Sequence, residues 1–487
     1  MIKTLKNYRY EIIAALSGAT VMILELVGAR MMAPFFGTST YVWTAMIGVI
    51  LGALSFGYWY GGRLADRGAS DKGLMVILCG AALFTTIALI LQVRILPSIA
   101  VTGLDVRVSA IISALLLFAP ASALLGIVSP YVAKLKLSSL KTAGSSIGRL
   151  YAAGTLGSIA GTFLTGYFLI AVLGNFMLGV IVVAALFGIS FLADWRSHIV
   201  PRAVAIAVAI GILFVVGVRT EPGIVSDTDS SYARYRVMET QRQEDGLPVR
   251  YLLMDSLGAQ SGVIVGQENS LIFEYTKGFK TIADTRPKTD STLVIGGGAY
   301  TFPSVVAAER PAALVDVVEI DPALDDIARE YFGYTPRPNL NIIHEDGRVF
   351  LNHNHMRYDQ LYIDAFSSLT PPYQLTTVQA VQRMKAALAP GGVLVVNLIA
   401  APIDSDPYYQ ATITTYRQIF EDIAVLKVQP ANRPTDPQNL LLVMGNPRTV
   451  EASRELGYEL AELPRPGVVL TDNFAPVEQL IQASGRL

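Results

Sequence analysis

Thr292-Leu-Val-Ile-Gly-Gly-Gly298 and, further on, Val317-Val-Glu-Ile-Asp321 decide how the second half of this 487-residue chain folds. After Thr292 three apolar residues run straight into three glycines, which is how a buried strand passes through a tight turn into a helix, here from about Pro303. The second stretch ends its apolar run on Glu319, about 20 residues after the glycines, where a carboxylate can accept both hydroxyls of a ribose. Asp321 follows at once. It could instead cap a helix beginning at Pro322.

Working outward, strands and helices alternate. Further strands are expected at 340–344, 360–364, 392–398, 423–428 and 440–444, with helices near 322–332, 374–389 and 406–420. This alternation predicts a doubly wound, mostly parallel α/β sheet. Residues 231–285, with short strands at 251–254 and 262–265, form a small β region ahead of it. In such sheets ligands sit at the carboxyl ends of the strands. Gly296, Gly297, Gly298, Glu319, Asp346 with Gly347, and Asp364 all fall there. The chain has no G-x-x-x-x-G-K-[ST] run, so the glycines with Glu319 suit a nucleoside without phosphates, such as S-adenosylmethionine. Spacing alone leaves NAD open. His344, His353 and His355 suggest a solvated loop rather than a metal site, since no third ligand is evident; no metal is expected.

The first half is a different material. The chain is 52% hydrophobic and 16% charged, with a mean hydropathy of +0.45, against about 25% charged in ordinary soluble domains. Residues 1–219 hold 16 Lys/Arg and 6 Asp/Glu (net +10), and residues 220–487 hold 22 and 33 (net −11). One soluble domain, a disordered chain and a basic nucleic-acid binder are thereby excluded. The single cysteine, Cys79, allows no disulfide within the chain.

About seven apolar stretches, near 11–33, 40–60, 74–96, 108–132, 148–172, 175–193 and 199–218, are long enough to span a lipid bilayer. The first is too long for a cleavable signal peptide. Small residues recur in the second (Gly48, Gly52, Ser55, Gly57) and fifth (Gly154, Gly157, Ser158, Gly161), as close helix packing in lipid requires. Glu25 and Arg30 lie within the first stretch. Either they are structural, as an ion pair or a snorkelling arginine, or Glu25 attracts a cationic substrate. The expected division is 1–219 transmembrane helices, 220–290 linker and β region, 291–446 nucleoside-binding domain and 447–487 C-terminal extension.

These pieces together resemble the spermidine synthase (aminopropyltransferase) family over about residues 232–445. The carrying segments are Leu252-Leu-Met-Asp-Ser-Leu-Gly-Ala-Gln260, Phe273-Glu-Tyr275, Val294-Ile-Gly-Gly-Gly298, Val318-Glu-Ile-Asp321, Glu345-Asp-Gly-Arg348, Tyr358-Asp-Gln-Leu-Tyr-Ile-Asp364 and Leu388-Ala-Pro-Gly-Gly-Val393. Leu16-Ser-Gly-Ala19, Glu25, Gly61-Gly-Arg-Leu-Ala-Asp-Arg67, Gly148-Arg-Leu-Tyr151 and Thr471-Asp-Asn-Phe-Ala-Pro-Val-Glu478 resemble bacterial fused "MFS/spermidine synthase" membrane proteins. The fold implied is a helical membrane bundle followed by a Rossmann-like, methyltransferase-type domain.

The resemblance implies decarboxylated S-adenosylmethionine as aminopropyl donor and a di- or polyamine as acceptor. It makes Asp364 the carboxylate that deprotonates or orients the attacking amine, with Tyr275 helping to position it. Gln260 lies by the donor, Glu319 binds the ribose, Asp346 the adenine amino group, and Pro371 packs on the base. A homo-oligomer, a dimer, is compatible with it. Two departures stand out. Ala299 and Tyr300 replace an acidic residue after the glycines, and Asp364-Ala-Phe-Ser367 lacks a second carboxylate. A polyamine or nucleoside binding or transport protein, and an S-adenosylmethionine-dependent methyltransferase, therefore stay open beside the transferase.

Loop charges and chemistry disagree about sidedness in the cell membrane. Twelve Lys/Arg on alternate loops face two on the others, so the positive-inside rule makes the N-terminus cytoplasmic. Seven spans then leave residues 220–487 outside. The family's donor is made in the cytoplasm, and a cytoplasmic catalytic half is the expectation taken, against that count.

Overall fold

The computed structural model describes residues 8–137, 142–197, 199–217, 222–243, 245–255, 258–365, 371–429, 433, 435–445 and 447–484. Lys3, Lys6 and Lys141 of the loop-charge count, and Phe366 and Ser367 of the altered motif, lie outside them. The chain divides into two compact units, Met1–Pro222 with Thr228–Arg234, and Gly223–Asp227 with Tyr235–Leu487.

The first unit is helical: α1 (Arg9–Phe36), α2 (Thr40–Asp66), α3 (Asp71–Ala100), α4 (Val106–Leu117), α5 (Ala119–Lys136), α6 (Ala143–Leu164), α7 (Ile170–Ala193) and α8 (Ile199–Gly217). Among the described residues four helical stretches are long and apolar enough to cross a membrane, in α1, α2, α3 and α7. The pair α4–α5, bent by 56°, makes a fifth if it is one span. The sequence expectation of about seven is not confirmed; four or five candidate spans stand among the described residues. Glycine, serine and threonine dilute α6.

Small residues do two different things here. At Gly157 and Gly161 of α6 a side chain would collide with the α1 backbone at Ala15 and Ala19, and at Gly57 of α2 with that of α5 at Ala123. These glycines permit close helix contact. Gly48 and Gly52 meet nothing within 4 Å and instead line an apolar groove of about 860 Å³ with Tyr41, Phe56, Ile111 and Leu115.

Ion pairs fix which helix ends lie together. Arg9 pairs with Asp71 (2.7 Å), Lys134 with Asp66 (2.7 Å) and Lys136 with Glu11 (3.2 Å). The start of α1 and α3 and the end of α2 and α5 thus form one basic end. At the far end of α1, roughly 30 Å away at 1.5 Å per residue, Arg30 donates to the carbonyls of Ser230 and Ser231 (2.7–2.8 Å). Asp229 accepts from the Asn175 backbone and side chain, both at 3.0 Å. The Thr228–Arg234 loop thus belongs to the end opposite the basic one.

The second unit opens with a four-stranded sheet in sequential order, β1 (Ile224–Asp229), β2 (Arg234–Gln241), β3 (Pro248–Met254) and β4 (Ala259–Ile264), followed by α9 (Glu274–Asp284). Then come β5 (Thr292–Ile295), α10 (Thr301–Glu309), β6 (Val315–Glu319), α11 (Ala323–Tyr331), β7 (Leu340–His344), α12 (Gly347–His353), β8 (Tyr358–Ile363), α13 (Val378–Ala386), β9 (Leu388–Ala400), α14 (Pro407–Arg417), β10 (Ile423–Lys427), β11 (Gln438–Gly445), α15 (Pro447–Arg454), β12 (Glu459–Leu460) and α16 (Val477–Ala483).

The large sheet has the order β12-β10-β11-β9-β8-β5-β6-β7. Strands β5 to β9 are mutually parallel, and β11 enters antiparallel between β9 and β10. Leu293, Ile295, Leu361, Ile363, Leu394, Val396 and Leu440 are buried along it, as strands covered on both faces require. The order reverses between β5 and β8, where such sheets open a crevice for ligands. Residues of the C-terminal segment pack on this unit: β12 pairs with β10, and Val378 N–H donates to the Leu470 carbonyl (2.9 Å).

Candidate active site

Sheet register lines up the site. Ile295 lies opposite Val318 on one side and Ile363 on the other, and Ile363 lies opposite Val396. The residues just beyond, Glu319, Gly296, Asp364 and Asn397, therefore form one row across four neighbouring strands. Gly296 adopts φ +93°, and a side chain there would run into the Asp364 carbonyl. Only glycine satisfies both the left-handed backbone and the close approach.

The glycine turn closes around Glu319. Its Oε2 accepts from the N–H of Gly297 (2.8 Å) and Gly298 (3.3 Å), and Oε1 from that of Asp321 (3.0 Å). Burial raises its pKa above the ordinary carboxylate value, against the pull of those three donors. Ser261 Oγ, from β4, accepts from Ala299 N–H at 3.0 Å and pins the small sheet to the turn. Asp321, 1% exposed, accepts from Ala323 N–H (3.0 Å) at the start of α11, the capping alternative of the two read from sequence.

Asp364 is the site's distinctive group. Asn397 Nδ2 donates to its Oδ1 at 2.8 Å, and the Tyr275 hydroxyl also hydrogen-bonds to it. Burial pushes its pKa up to about 7, the Asn397 and Tyr275 hydrogen bonds pull it down, and the Glu319 charge pushes it up. A carboxyl poised there can exchange a proton near neutral pH. The Tyr275 hydroxyl, its pKa raised by burial and then by Asp364, also reaches the Gln260 carbonyl at 3.2 Å. Its ring stacks on Phe273 at 6.0 Å.

Asp346 caps α12, with Oδ1 accepting from Arg348 N–H (2.8 Å) and Val349 N–H (3.0 Å). Its Oδ2 is left to Gln374 at 3.4 Å. Gly347 packs against Ile295, where a side chain would clash. Pro371 precedes the Tyr373–Leu375 turn that carries Gln374.

The structure thus brings Asp364, Tyr275, the Gln260 backbone, the three glycines and Glu319 into contact, with Gly347 behind the glycine strand. Glu25 and Arg30 belong to the other unit. Glu25 makes no ion pair among the described residues, so the paired reading of these two fails; Arg30 is held by carbonyls. His344 pairs with Asp325 (3.1 Å) and His353 with Glu345 (2.9 Å).

Three participants escaped sequence reasoning. Ser261 gave no signal. Asn397 did, as a polar residue near the end of the otherwise apolar Val393–Leu398. Arg348, quoted only as part of a motif, forms an ion pair with Asp472 of the C-terminal segment at 2.6 Å. That contact holds the Asp472 carboxyl below its usual range.

Residues 260–440 match the spermine/spermidine synthase domain model. A polyamine aminopropyltransferase of Vibrio vulnificus is 27% identical over 213 residues, 43% of this chain and 68% of the relative. A probable polyamine aminopropyl transferase of Bifidobacterium longum is 32% identical over 109 residues, 22% of this chain and 24% of the relative. The chain spans about half (55%) of the Clostridium beijerinckii polyamine aminopropyltransferase that it matches at 28% identity. A crystal structure of a probable spermidine synthase from Corynebacterium glutamicum superposes with a TM-score of 0.40 at 20% identity, over 55% of this chain and 94% of that one. The C-terminal region therefore carries a spermine/spermidine synthase domain, a transferase domain, behind an N-terminal helical region.

Proposed function

We propose that the chain is a membrane-embedded aminopropyltransferase that moves an aminopropyl group from decarboxylated S-adenosylmethionine to a di- or polyamine. The observation that carries this is Asp364, a carboxyl with a pKa of about 7, beside a glycine turn and a carboxylate in ribose-binding position. A protonated amine is not a nucleophile. Asp364 takes its proton; the freed nitrogen lone pair attacks the methylene next to the donor's sulfonium. The N–C bond forms as the C–S bond breaks, and the electron pair neutralises sulfur in methylthioadenosine. Tyr275 holds the carboxyl in line, which is where an orienting group contributes most.

Gly296, Gly297 and Gly298 admit the donor close to backbone, and Glu319 exchanges its N–H partners for ribose hydroxyls. Gln260 lines the donor, Asp346 offers Oδ2 to the adenine amine, Gly347 leaves room, and Pro371 packs on the base. A net charge of −11 on residues 220–487 favours a polycationic acceptor. No metal enters this chemistry. The catalytic domain proper is 291–446, with 220–290 supplying the β region, 447–487 the closing segment and 1–219 about seven membrane passes, two of them through broken or diluted helices. Pairing as a dimer is compatible with the reading.

The apolar helices support a location in the cell membrane. Donor supply favours a cytoplasmic catalytic unit; the basic end of the helices, opposite the Thr228–Arg234 loop, favours the reverse. The test of function is direct: purified protein with the decarboxylated donor and putrescine-like or longer amines should release methylthioadenosine. No turnover with any amine, while the nucleoside still binds, would leave a binding protein. Product from intact S-adenosylmethionine instead would make it a methyltransferase.

A further inference from the structure

The hydrogen bond from Asn397 to Asp364 continues into the sheet. On antiparallel β9 and β11, Asn397 lies opposite Leu441 and Asn439 opposite Ile399. Asn439 is therefore the diagonal neighbour of Asn397 on the same face, within reach of a polar side chain. Its Nδ2 donates to Asn397 Oδ1 at 3.0 Å, and Asn397 Nδ2 donates to Asp364 Oδ1 at 2.8 Å. Asn397 is buried, 6% exposed. A carboxamide has one accepting and one donating end. With the oxygen of Asn397 held by Asn439, its NH2 is the end that faces Asp364.

A donor at that point fits a carboxylate. The flipped amide would present an oxygen, and Asp364 would then need to keep its proton to complete the bond. Resting on the reading that Asp364 is the acceptor of the amine's proton, we propose that Asn439 and Asn397 are positioning residues that together hold Asp364 in its proton-accepting form. Neither touches the amine; both act through the orientation of one amide. The titratable groups facing Asp364 among the described residues are Glu319, from the tip of β6, and the Tyr275 hydroxyl, from α9. Glu319 works against ionisation of Asp364, which gives the relay its opponent.

The test uses the full-length protein and two readouts. One is the acid-side midpoint of kcat/KM against pH. The other is the difference in melting temperature between each protein and its Asp364→Asn counterpart across pH, which follows the Asp364 proton without catalysis. Asn439→Leu frees the Asn397 amide to flip, and should move both midpoints up by about one unit, a tenfold change in the ionisation equilibrium. Asn439→Ala serves equally if the leucine variant does not fold. Asn439→Gln keeps the donor and should restore the wild-type midpoint. Lower rates or stability with both midpoints unmoved would overturn the relay. A wild-type protein that turns over no amine would sink the transferase reading, while the melting-temperature curves would still decide the relay.

Discussion

The two units use glycine for opposite purposes. In the helical unit Gly57, Gly157 and Gly161 remove side chains so that ordinary helices can touch. In the α/β unit Gly296 and Gly298, with φ of +93° and +52°, take backbone shapes other residues resist, and so bring N–H groups to Glu319. One use is steric and repeats along a face; the other is conformational and occurs once. A helical bundle tolerates many approximate contacts, whereas a turn that aims N–H groups at one carboxylate depends on one geometry.

The largest expected effect lies in the second unit. Asp364→Asn should lower transfer by about 10²–10⁴-fold, the usual contribution of a positioned base, with nucleoside binding kept; turnover within tenfold of wild type would break the assignment. Next, Gly296→Val should cost several-fold more stability than Gly52→Val, about 2–4 kcal/mol against about 0.5 kcal/mol, since only the first meets backbone and a left-handed φ. In the helical unit Gly157→Ile should behave like Gly296→Val, and thermal melts of the three variants compare steric with conformational use.

The pH dependence has a definite sign. Asp364 has its pKa raised to about 7 in the folded protein, above its unfolded value of about 4. The folded state therefore binds the extra proton, and stability falls as pH rises from about 4 through about 7, then stays level. Asp364→Asn should accordingly be the more stable protein at pH 8, measured by melting, and kcat/KM should rise with pH toward a plateau above about 7. The smallest effect is expected at the surface: Asp472→Asn breaks the ion pair with Arg348, whose acidic partner is 42% exposed, so a loss of about 0.2–1 kcal/mol is expected. Reporters placed after Thr142 and after Thr102, at opposite ends of the helical unit, should lie on opposite faces of the membrane; a shared face would break the arrangement of helix ends described above.

Much of the second unit was legible because strand and helix periods differ and because a carboxylate at a strand end is conspicuous. Glu319, Asp346 and Asp364 could be picked out in that way. Asn397 and Ser261 could not be given roles, since their partners lie 33 and 38 residues away and depend on strand order. The seven stretches rest on apolar length alone; the bend between α4 and α5 and the polar dilution of α6 leave four or five clear candidate spans among the described residues.

The amino-acid sequence by itself determined the division into an apolar basic half and an acidic α/β half, because solvent preference is additive along a chain. It also determined the glycine turn and the carboxylates at strand tips, which are local. Only the tertiary structure decided that Asp364, Asn397 and Glu319 share one row, with Tyr275 brought to it from α9. Register between strands far apart in sequence fixes which side chains meet, and a one-residue slip would turn each of them to the other face.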